Sequence, residues 1–189
     1  AYFENEFLNE LQTLKSKDAD LILDAKLVQD MRIQGLKLAP QIVPSLKDHF
    51  GNYNLISVEE KLYEPLEKNN KKFKGFIDLV FECEGKFYVL DYKTNTRIGE
   101  RAYSPIQLTK AMVELDFDVQ GHLYSLALHQ FLSVYMRQYD YDQHYGGYVY
   151  VFVRGLDPEN PENGIYHHKP GIRVITSLLD ELLPQEVQE

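Results

Sequence analysis

The stretch that most constrains the fold is residues 74–95, KGFIDLVFECEGKFYVLDYKTN, which predicts a β-hairpin. Two runs rich in β-branched and aromatic residues flank a short polar segment that contains Gly85. If Glu84 and Gly85 form a two-residue turn, Asp78 lies directly opposite Asp91, and a four-residue loop keeps that register. A three-residue loop would break the register and would put the two acids on opposite faces of the sheet.

In the favoured register the Asp78 and Asp91 side chains stand about 4.5–5.5 Å apart at Cβ, and strand alternation places Lys93 on the face of Asp91. Like charges directly opposite each other destabilise a sheet unless something neutralises them. A divalent cation does so, and paired carboxylate oxygens suit Mg²⁺ or Mn²⁺. The alternative is an edge hairpin with two solvated acids and a surface lysine. Because both acids interrupt apolar runs, and strands are depleted in Asp, the residues alone leave both interpretations open.

The composition predicts one domain in a reducing compartment. A chain of 189 residues with 44% hydrophobic content is long enough for a sizeable core. The single cysteine, Cys83, excludes an internal disulfide and a Cys-rich zinc site. No apolar run approaches the roughly 18 residues of a membrane span, and there is no basic-then-apolar signal pattern. We therefore expect a cytoplasmic protein without a membrane segment.

The charge is unevenly distributed along the chain. A net charge of −9 argues against a protein that simply coats nucleic acid. Residues 61–110, however, hold ten of the twenty Lys and Arg against seven acids, so this stretch carries +3 and the remainder −12. Within it, Lys71, Lys72 and Lys74 precede the two acids. They either contact phosphate or form a solvated shoulder of the hairpin.

Two helices are predicted in the first 50 residues, and neither carries visible chemistry. Apolar residues recur at three- and four-residue steps over 2–15. A second helix is expected over 20–36, and Pro40 and Pro44 are expected to break it. His49 is expected to be a surface residue near a helix end. The core candidates of the second helix are Leu21, Leu23, Leu27, Val28 and Met31.

The remaining elements have clear start and stop signals. We expect a strand over 55–62, a helix that starts at Ser104–Pro105 and runs to about 115, a longer helix to about 137, a buried strand after Gly147, a short strand over 164–169 and a closing helix over 174–183. The expected apolar stripe of the longer helix is Leu123, Leu126, Ala127 and Phe131. His167 and His168 are adjacent on a strand and point to opposite faces, so they make a poor chelate.

Gln120 and Tyr124 lie four residues apart on the longer helix and therefore share one face. An amide and a phenol one turn apart can both hydrogen-bond a phosphate or a base edge. An ordinary amphipathic surface is the alternative.

Four motifs resemble one nuclease family and occur in its order. GFIDLVF (75–81) and LDYK (90–93) resemble the core motif of the PD-(D/E)XK nucleases. Together with QGHLY (120–124), they resemble the version found in the RecB family of exonucleases. The stretch YDYDQHYGGYVYVFVRGLDPENPENGIY (139–166) resembles the nuclease domain that closes exonuclease V beta subunits. The resemblance covers roughly residues 55–183.

The resemblance implies an α/β fold, with a restriction-endonuclease-like core in which helices flank a mixed central sheet. It implies a single nuclease domain over 1–189, with a helical part over 1–50 and the nuclease core over 55–183. It also implies DNA contacts by the QxxxY pair, Gln120 and Tyr124.

The metal site that the resemblance implies is formed by Asp78, Asp91 and the backbone carbonyl of Tyr92. The expected ion is Mg²⁺, with Mn²⁺ or Ca²⁺ as substitutes in the same site. In the related nucleases an acid near this point can join the metal, and Glu59 aligns with it better than Glu60 does. The alternative is that either residue is an exposed strand acid. Lys93 would orient the attacking water and stabilise charge that develops on phosphorus.

The implied function is Mg²⁺-dependent hydrolysis of DNA, of the exodeoxyribonuclease V type, in a helicase–nuclease that processes double-strand ends for recombination. The implied partners are DNA, RecC- and RecD-like subunits and a RecA-like recombinase. A docking module of the same assembly, which binds DNA or a recombinase and is inactive in isolation, is the first alternative. A structural domain whose aspartates bind nothing is the second.

One departure from the family concerns a histidine. RecB-family nuclease domains usually carry a metal-ligating histidine in a Gly-x-x-x-His context, whereas this sequence has no histidine before His49. It also lacks the GxxxxGK[ST] phosphate loop of a helicase motor. We therefore expect a fragment of a larger helicase–nuclease, cut downstream of the histidine motif, or a divergent domain that lacks it.

Overall fold

A mixed five-stranded sheet in the order β1-β2-β3-β4-β5 forms the centre of the molecule. The computed structural model describes residues 2–17, 24–66 and 71–182, with backbone alone at 2–4, 6, 60–66 and 71–76. Strands β3 and β4 are parallel, and the other neighbouring pairs are antiparallel. The strands are β1 (Asn54–Leu66), β2 (Lys71–Cys83), β3 (Lys86–Lys93), β4 (Tyr145–Phe152) and β5 (Ile165–His168).

Helices cover both faces of this sheet, as predicted. One face packs against α3, α4 and α6, and the other packs against α2. The helices are α1 (Tyr2–Lys17), α2 (Ala25–Phe50), α3 (Pro105–Glu114), α4 (Phe117–Tyr135), the unpredicted short α5 (Tyr141–His144) and α6 (Ile172–Leu182). Within the described ranges, none of the helices combines the length and the apolar content needed to cross a membrane.

Helix α2 continues through Pro40 and Pro44, so the predicted break at these prolines is wrong. A proline inside a helix removes one hydrogen bond and crowds the carbonyl four residues earlier, at a cost of about 3 kcal/mol. Both prolines are exposed, so water can reach the carbonyls that they leave unpaired. Burial of one apolar stripe at four-residue steps offsets part of the cost. The stripe consists of Leu38, Ile42, Leu46 and Phe50.

The predicted core residues of this helix are also corrected. Leu27 and Met31 are 56% and 50% exposed, and Val28 is partly exposed. Leu21 and Leu23 lie outside the described residues. The helix packs on the sheet through its second half, because the stripe that contacts the core begins at Leu38. Periodicity alone does not show which end of a long amphipathic helix meets the core.

Helix α4 faces the sheet through smaller and more polar residues than predicted. Phe131, an expected core residue, is 54% exposed, whereas Leu126 is buried as predicted. The buried residues of the helix are Gly121, Tyr124, Ser125, Leu126, Leu128 and Leu132. Ser125 Oγ accepts a 2.6 Å hydrogen bond from the hydroxyl of Tyr145 on β4. A search for apolar periodicity misses this face because glycine, serine and tyrosine form much of it.

Most of the other predicted elements are present with small shifts in their bounds. Helix α3 begins at Pro105, but Ser104 makes no side-chain capping hydrogen bond. Strand β4 is buried along its whole length, as predicted, but it starts at Tyr145, and the last three residues of the predicted strand YVYVFVRG form a 3₁₀ turn. Strand β1 is longer than the predicted 55–62 and pairs with β2 up to Leu66 opposite Lys71. The β1–β2 ribbon therefore extends past the point where β2 stops pairing with β3.

Candidate active site

The β2–β3 hairpin places the two predicted carboxylates at the end of its ladder. The two turn residues after Cys83 have φ values of 52° and 78°, which are typical of a type I′ turn. The ladder runs from this turn to Leu79 opposite Leu90. The next residues along the two strands are Asp78 and Asp91. The register is therefore the one that the two-residue turn predicts.

Asp78 occupies the gap that opens where the β2–β3 ladder ends. Its Oδ2 accepts a 2.7 Å hydrogen bond from the backbone N–H of Tyr92. The N–H and C=O of one strand residue point to the same side of the strand. The Tyr92 carbonyl therefore faces the gap that holds the Asp78 carboxylate. Two of the predicted metal ligands thus face one space.

Asp91 is buried and has partners on both of its oxygens. The residue is 8% exposed, and its Oδ2 lies 2.6 Å from Lys93 Nζ. Its Oδ1 accepts a hydrogen bond from the Tyr124 hydroxyl at 3.2 Å. Lys93 is 9% exposed and lies on the face of Asp91, as strand alternation predicts. The buried ammonium and carboxylate therefore neutralise each other.

Helix α4 closes a ring of polar contacts around this ion pair. Lys93 Nζ donates to Gln120 Oε1 at 2.7 Å, and Gln120 Nε2 donates to the Tyr124 hydroxyl at 2.7 Å. Because that hydroxyl donates in turn to Asp91, the four side chains form a closed network. The prediction that Gln120 and Tyr124 share a face is confirmed. Their role in DNA binding stays a prediction.

Close packing of α4 on β4 makes this network possible. A Cβ atom at Gly121 would lie 2.5 Å from the ring of Tyr148, so only glycine allows this approach. The Tyr148 hydroxyl donates to Asp118 Oδ1 at 2.9 Å, which ties the same ring to the start of α4. Gln120 directly precedes Gly121, and Tyr124 lies about one helical turn after it. The contact between Gly121 and Tyr148 therefore sets the distance of both side chains from the sheet.

Two aromatic residues of the site, Phe117 and Tyr150, were missed by the sequence analysis. Lys93 Nζ lies 4.3 Å from the Phe117 ring centroid and 4.5 Å from that of Tyr150. The single proton of the Tyr150 hydroxyl is shared between the Phe117 carbonyl at 2.9 Å and Gln120 Oε1 at 3.2 Å. The sequence signal that could have pointed to Tyr150 is the abundance of tyrosines over residues 135–150, a pattern that packing also explains. The parallel register that sets Tyr150 beside Asp91 is visible in the structure alone.

The pKa of Asp78 is raised from its ordinary value. Burial is the main cause, and the negative charge of Asp91 adds to it; the Tyr92 N–H and the Lys93 ammonium act in the opposite direction. Burial, followed by the charge of Asp91, also raises the pKa of Tyr124 far above neutral pH. The Tyr124 hydroxyl is therefore a protonated donor, and the surroundings of Asp78 disfavour its charged form.

Glu59 lies on β1, where the strand register places it across from Asp78. It is exposed, and its charge contributes to raising the pKa of Asp78. Its φ of 53° is in the left-handed region, which is uncommon for a residue other than glycine and marks local strain. Lys71, Lys72 and Lys74 lie further along β2, in the ribbon that β2 forms with β1. The functions of these four residues stay predictions.

The residues of the gap fit a hard divalent cation. Among the described residues, no group of three or more His, Cys, Asp or Glu side chains is arranged to hold a metal ion. Asp78 and the Tyr92 carbonyl face the gap, and the charge of Asp91 acts on Asp78 from nearby, so all three can supply oxygen donors. Mg²⁺ keeps several waters and commonly takes one or two protein carboxylates together with substrate phosphates. Burial and the charge of Asp91 disfavour the charged form of Asp78, and a bound cation would favour it.

The histidines lie away from this gap. His49 is exposed in the last turn of α2, as expected, and His167 and His168 are exposed on β5. His122 contacts the ring of Tyr148, and His129 contacts the ring of Tyr141.

A family comparison defines the class of protein. The profile of the PD-(D/E)XK nuclease superfamily matches residues 5–186, so the chain belongs to that superfamily. Nucleases of this superfamily generally use divalent metal ions.

Individual relatives narrow the similarity to one kind of subunit. RecBCD enzyme subunit RecB of Escherichia coli strain K12 is 47% identical over 111 residues, which are 58% of this chain and 9% of that protein. The same subunit of Haemophilus influenzae is 40% identical over 106 residues, 56% of this chain and 9% of that protein. That of Mycobacterium tuberculosis strain H37Rv is 44% identical over 85 residues, 43% of this chain and 8% of that protein. The predicted resemblance to RecB nuclease domains is confirmed, and the chain matches less than a tenth of the length of each relative.

Proposed function

We propose that the chain is the nuclease domain of a RecB-like helicase–nuclease and that it hydrolyses DNA phosphodiester bonds with Mg²⁺ bound. The observation that carries this proposal is the meeting of Asp78, Asp91 and Lys93 where the β2–β3 ladder ends. Membership of the nuclease superfamily and the similarity to RecB subunits support it.

Asp78, Asp91 and the Tyr92 carbonyl would hold the ion, and Glu59 is a further candidate ligand because it lies across from Asp78. Mn²⁺ or Ca²⁺ would fit the same oxygen donors. When bound, the ion would polarise a phosphoryl oxygen and lower the pKa of a water molecule. The N–H of Tyr92 keeps Asp78 in place through its 2.7 Å hydrogen bond.

Lys93 would orient the attacking water and stabilise negative charge that develops at phosphorus. Its ammonium has three donors, of which one is directed to Asp91 and one to Gln120. The third would reach a water molecule or a phosphate oxygen. Because Lys93 is buried, its charge interacts more strongly with the substrate than it would in bulk water.

The β1–β2 ribbon and α4 would bind the DNA strand on either side of the gap. Lys74 lies four residues before Asp78 on β2, about 13 Å along the strand, and Lys71 and Lys72 lie further out. Lysines at these positions would neutralise backbone phosphates. Gln120 and Tyr124 would contact the phosphate or base nearest the gap.

The same proposal includes the setting in which the domain acts. RecC- and RecD-like subunits, a RecA-like recombinase and the processing of double-strand ends in the cytoplasm follow by analogy with the RecBCD subunits that the chain resembles.

A docking module that binds DNA or a recombinase without cleaving is the second candidate function. Both oxygens of Asp91 already have partners, Lys93 and Tyr124, within the chain. No third acidic or histidine ligand joins them in the part of the chain that the structure describes. These contacts favour a site that binds metal weakly when isolated.

Cleavage of labelled single-stranded DNA with Mg²⁺ separates the two functions. We expect Lys93→Met to lower kcat about 10²- to 10³-fold, the loss typical of removing one stabilising donor. Asp91→Asn should abolish cleavage, whereas Asp180→Asn, at an exposed position of α6, should leave it unchanged. Cleavage that survives Asp91→Asn contradicts the assignment. Wild-type protein that binds the DNA but does not cleave it supports the docking module.

A further inference from the structure

We propose that Phe117 and Tyr150 are positioning residues that keep the Lys93 ammonium in the site through an aromatic cage. The cage consists of the two rings on which Lys93 Nζ lies, at 4.3 Å and 4.5 Å from their centroids. Both distances are within the roughly 6 Å at which a ring attracts a cation. The catalytic part of this inference rests on the proposed function, and the cage itself does not.

The cage is built rigidly from two distant parts of the chain. Phe117 is the first residue of α4, and Tyr150 lies in the middle of β4 and is fully buried. The two ring centroids are 5.6 Å apart. The Tyr150 hydroxyl shares its proton between the Phe117 carbonyl and Gln120 Oε1, the oxygen that also accepts from Lys93. Tyr150 therefore fixes both walls of the cage and the amide beside it.

The cage gives Lys93 partners that do not depend on Asp91. A cation on Asp91 would compensate the charge that now attracts Lys93, and it would repel the ammonium. The rings and the Gln120 amide are neutral, so their attraction for Lys93 would remain. Lys93 would then keep its place beside the scissile phosphate while Asp91 binds the cation.

A purely structural role for Phe117 is the competing explanation, because its ring also packs against the core. The cage predicts that the ring is needed for the position of Lys93, whereas a packing role predicts that any apolar side chain of similar size suffices. Phe117→Leu keeps apolar volume and removes the ring, and Phe117→Tyr keeps the ring. Phe131→Leu makes the same change at an exposed position of the same helix and is the matched control.

Proton–carbon spectra of the full chain labelled at lysine Cε test the cage without any need for activity. Ring currents from Phe117 and Tyr150 should move the Lys93 ε-methylene signal upfield of the other lysines, and Lys93→Met identifies that signal by its loss. Phe117→Leu should return it toward the other lysines, and Phe131→Leu should not. The upfield shift should persist when Ca²⁺ is added. A Lys93 signal that lies among those of exposed lysines, or that Phe117→Leu does not move, overturns the cage.

Steady-state cleavage with Mg²⁺ tests the consequence for catalysis. Phe117→Leu should lower kcat about 2- to 30-fold with KM unchanged, which is the range expected from losing one cation–π contact. Phe117→Tyr should restore most of kcat. A change in KM with kcat unchanged, or equal loss in both variants, overturns the positioning role. If the wild type does not cleave DNA but the Lys93 signal lies upfield, the proposed function fails and the cage stands. If the wild type cleaves DNA but the Lys93 signal is not shifted, the cage fails and the proposed function stands.

Discussion

Replacing Gly121 by alanine should separate α4 from the sheet and disconnect the site. The added Cβ would lie 2.5 Å from two atoms of the Tyr148 ring and 2.7 Å from a third. Carbon atoms in ordinary contact are about 3.5–4.0 Å apart, so the ring or the helix must move by about 1 Å. The ring is buried, and its hydroxyl is bonded to Asp118 of the same helix, which leaves the helix as the part that moves.

A displacement of this size is enough to break the contacts that Gln120 and Tyr124 make with β3. The Lys93–Gln120 distance of 2.7 Å would become about 3.7 Å, and the Tyr124–Asp91 distance of 3.2 Å would become about 4.2 Å. Overpacking of a core typically costs about 1–3 kcal/mol, while alanine gains about 1 kcal/mol over glycine in a helix. We therefore expect a net stability loss of up to about 2 kcal/mol.

The effect on activity should exceed the effect on stability. A 1 Å misplacement near a reacting centre can cost on the order of 10²-fold in rate, and we expect a loss of that order in kcat. Urea denaturation and single-stranded DNA cleavage measure the two quantities. Gly171→Ala is the control, because a Cβ at Gly171 would meet nothing within 4 Å. A Gly121→Ala protein with wild-type kcat and an unchanged urea midpoint refutes the argument that this contact sets the site.

Three further predictions follow from individual residues. Mn²⁺ at one hundred times its Kd should raise the free energy of unfolding of the wild type by about 2.7 kcal/mol, and thermal melts of Asp78→Asn should show a much smaller shift. Burial lowers the pKa of His129, so the folded state binds a proton less readily than the unfolded state, whose pKa is about 6.5. Stability should therefore fall as the pH drops below 6.5 toward the folded pKa, and urea midpoints at pH 8 and 5.5 should show a smaller decline in His129→Gln. Changing Lys71, Lys72 and Lys74 to Gln should weaken single-stranded DNA binding and flatten its logarithmic salt dependence by about 2, and an unchanged slope would remove these lysines from the interface.

The carboxylate pair could be predicted because its geometry is encoded locally. A two-residue turn at Gly85 determines the register of a hairpin, and strand alternation then determines the face of every side chain. Asp78, Asp91 and Lys93 are all within eight residues of that turn. No information from elsewhere in the chain is needed to bring the two acids to one end of the ladder.

The partners of these residues depend on contacts that local patterns do not determine. Tyr150 meets Lys93 through a parallel pairing of β3 with β4, strands separated by more than 50 residues. Apolar periodicity also misplaced the buried face of α4, since Phe131 is exposed while Gly121 and Ser125 are buried. The prediction of a helix break at Pro40 was also wrong because of distant contacts. Packing of the second half of α2 on the sheet offsets the local tendency of proline to end a helix.

The charged residues of the site come from the β2–β3 hairpin, whereas their neutral partners come from α4 and β4. The hairpin alone would bring together two acids and one ammonium. In that arrangement Asp91 and Lys93 could neutralise each other by forming an ion pair. Helix α4 and strand β4 add neutral partners for each member of that pair, namely the Tyr124 hydroxyl, the Gln120 amide and the aromatic cage. Because neutral partners keep a charged side chain in place without cancelling its charge, the proposed function predicts that Asp91 and Lys93 separate when a cation binds and that neither side chain leaves the site. The glycine that allows α4 to approach the sheet is therefore needed for these neutral partners to reach the pair.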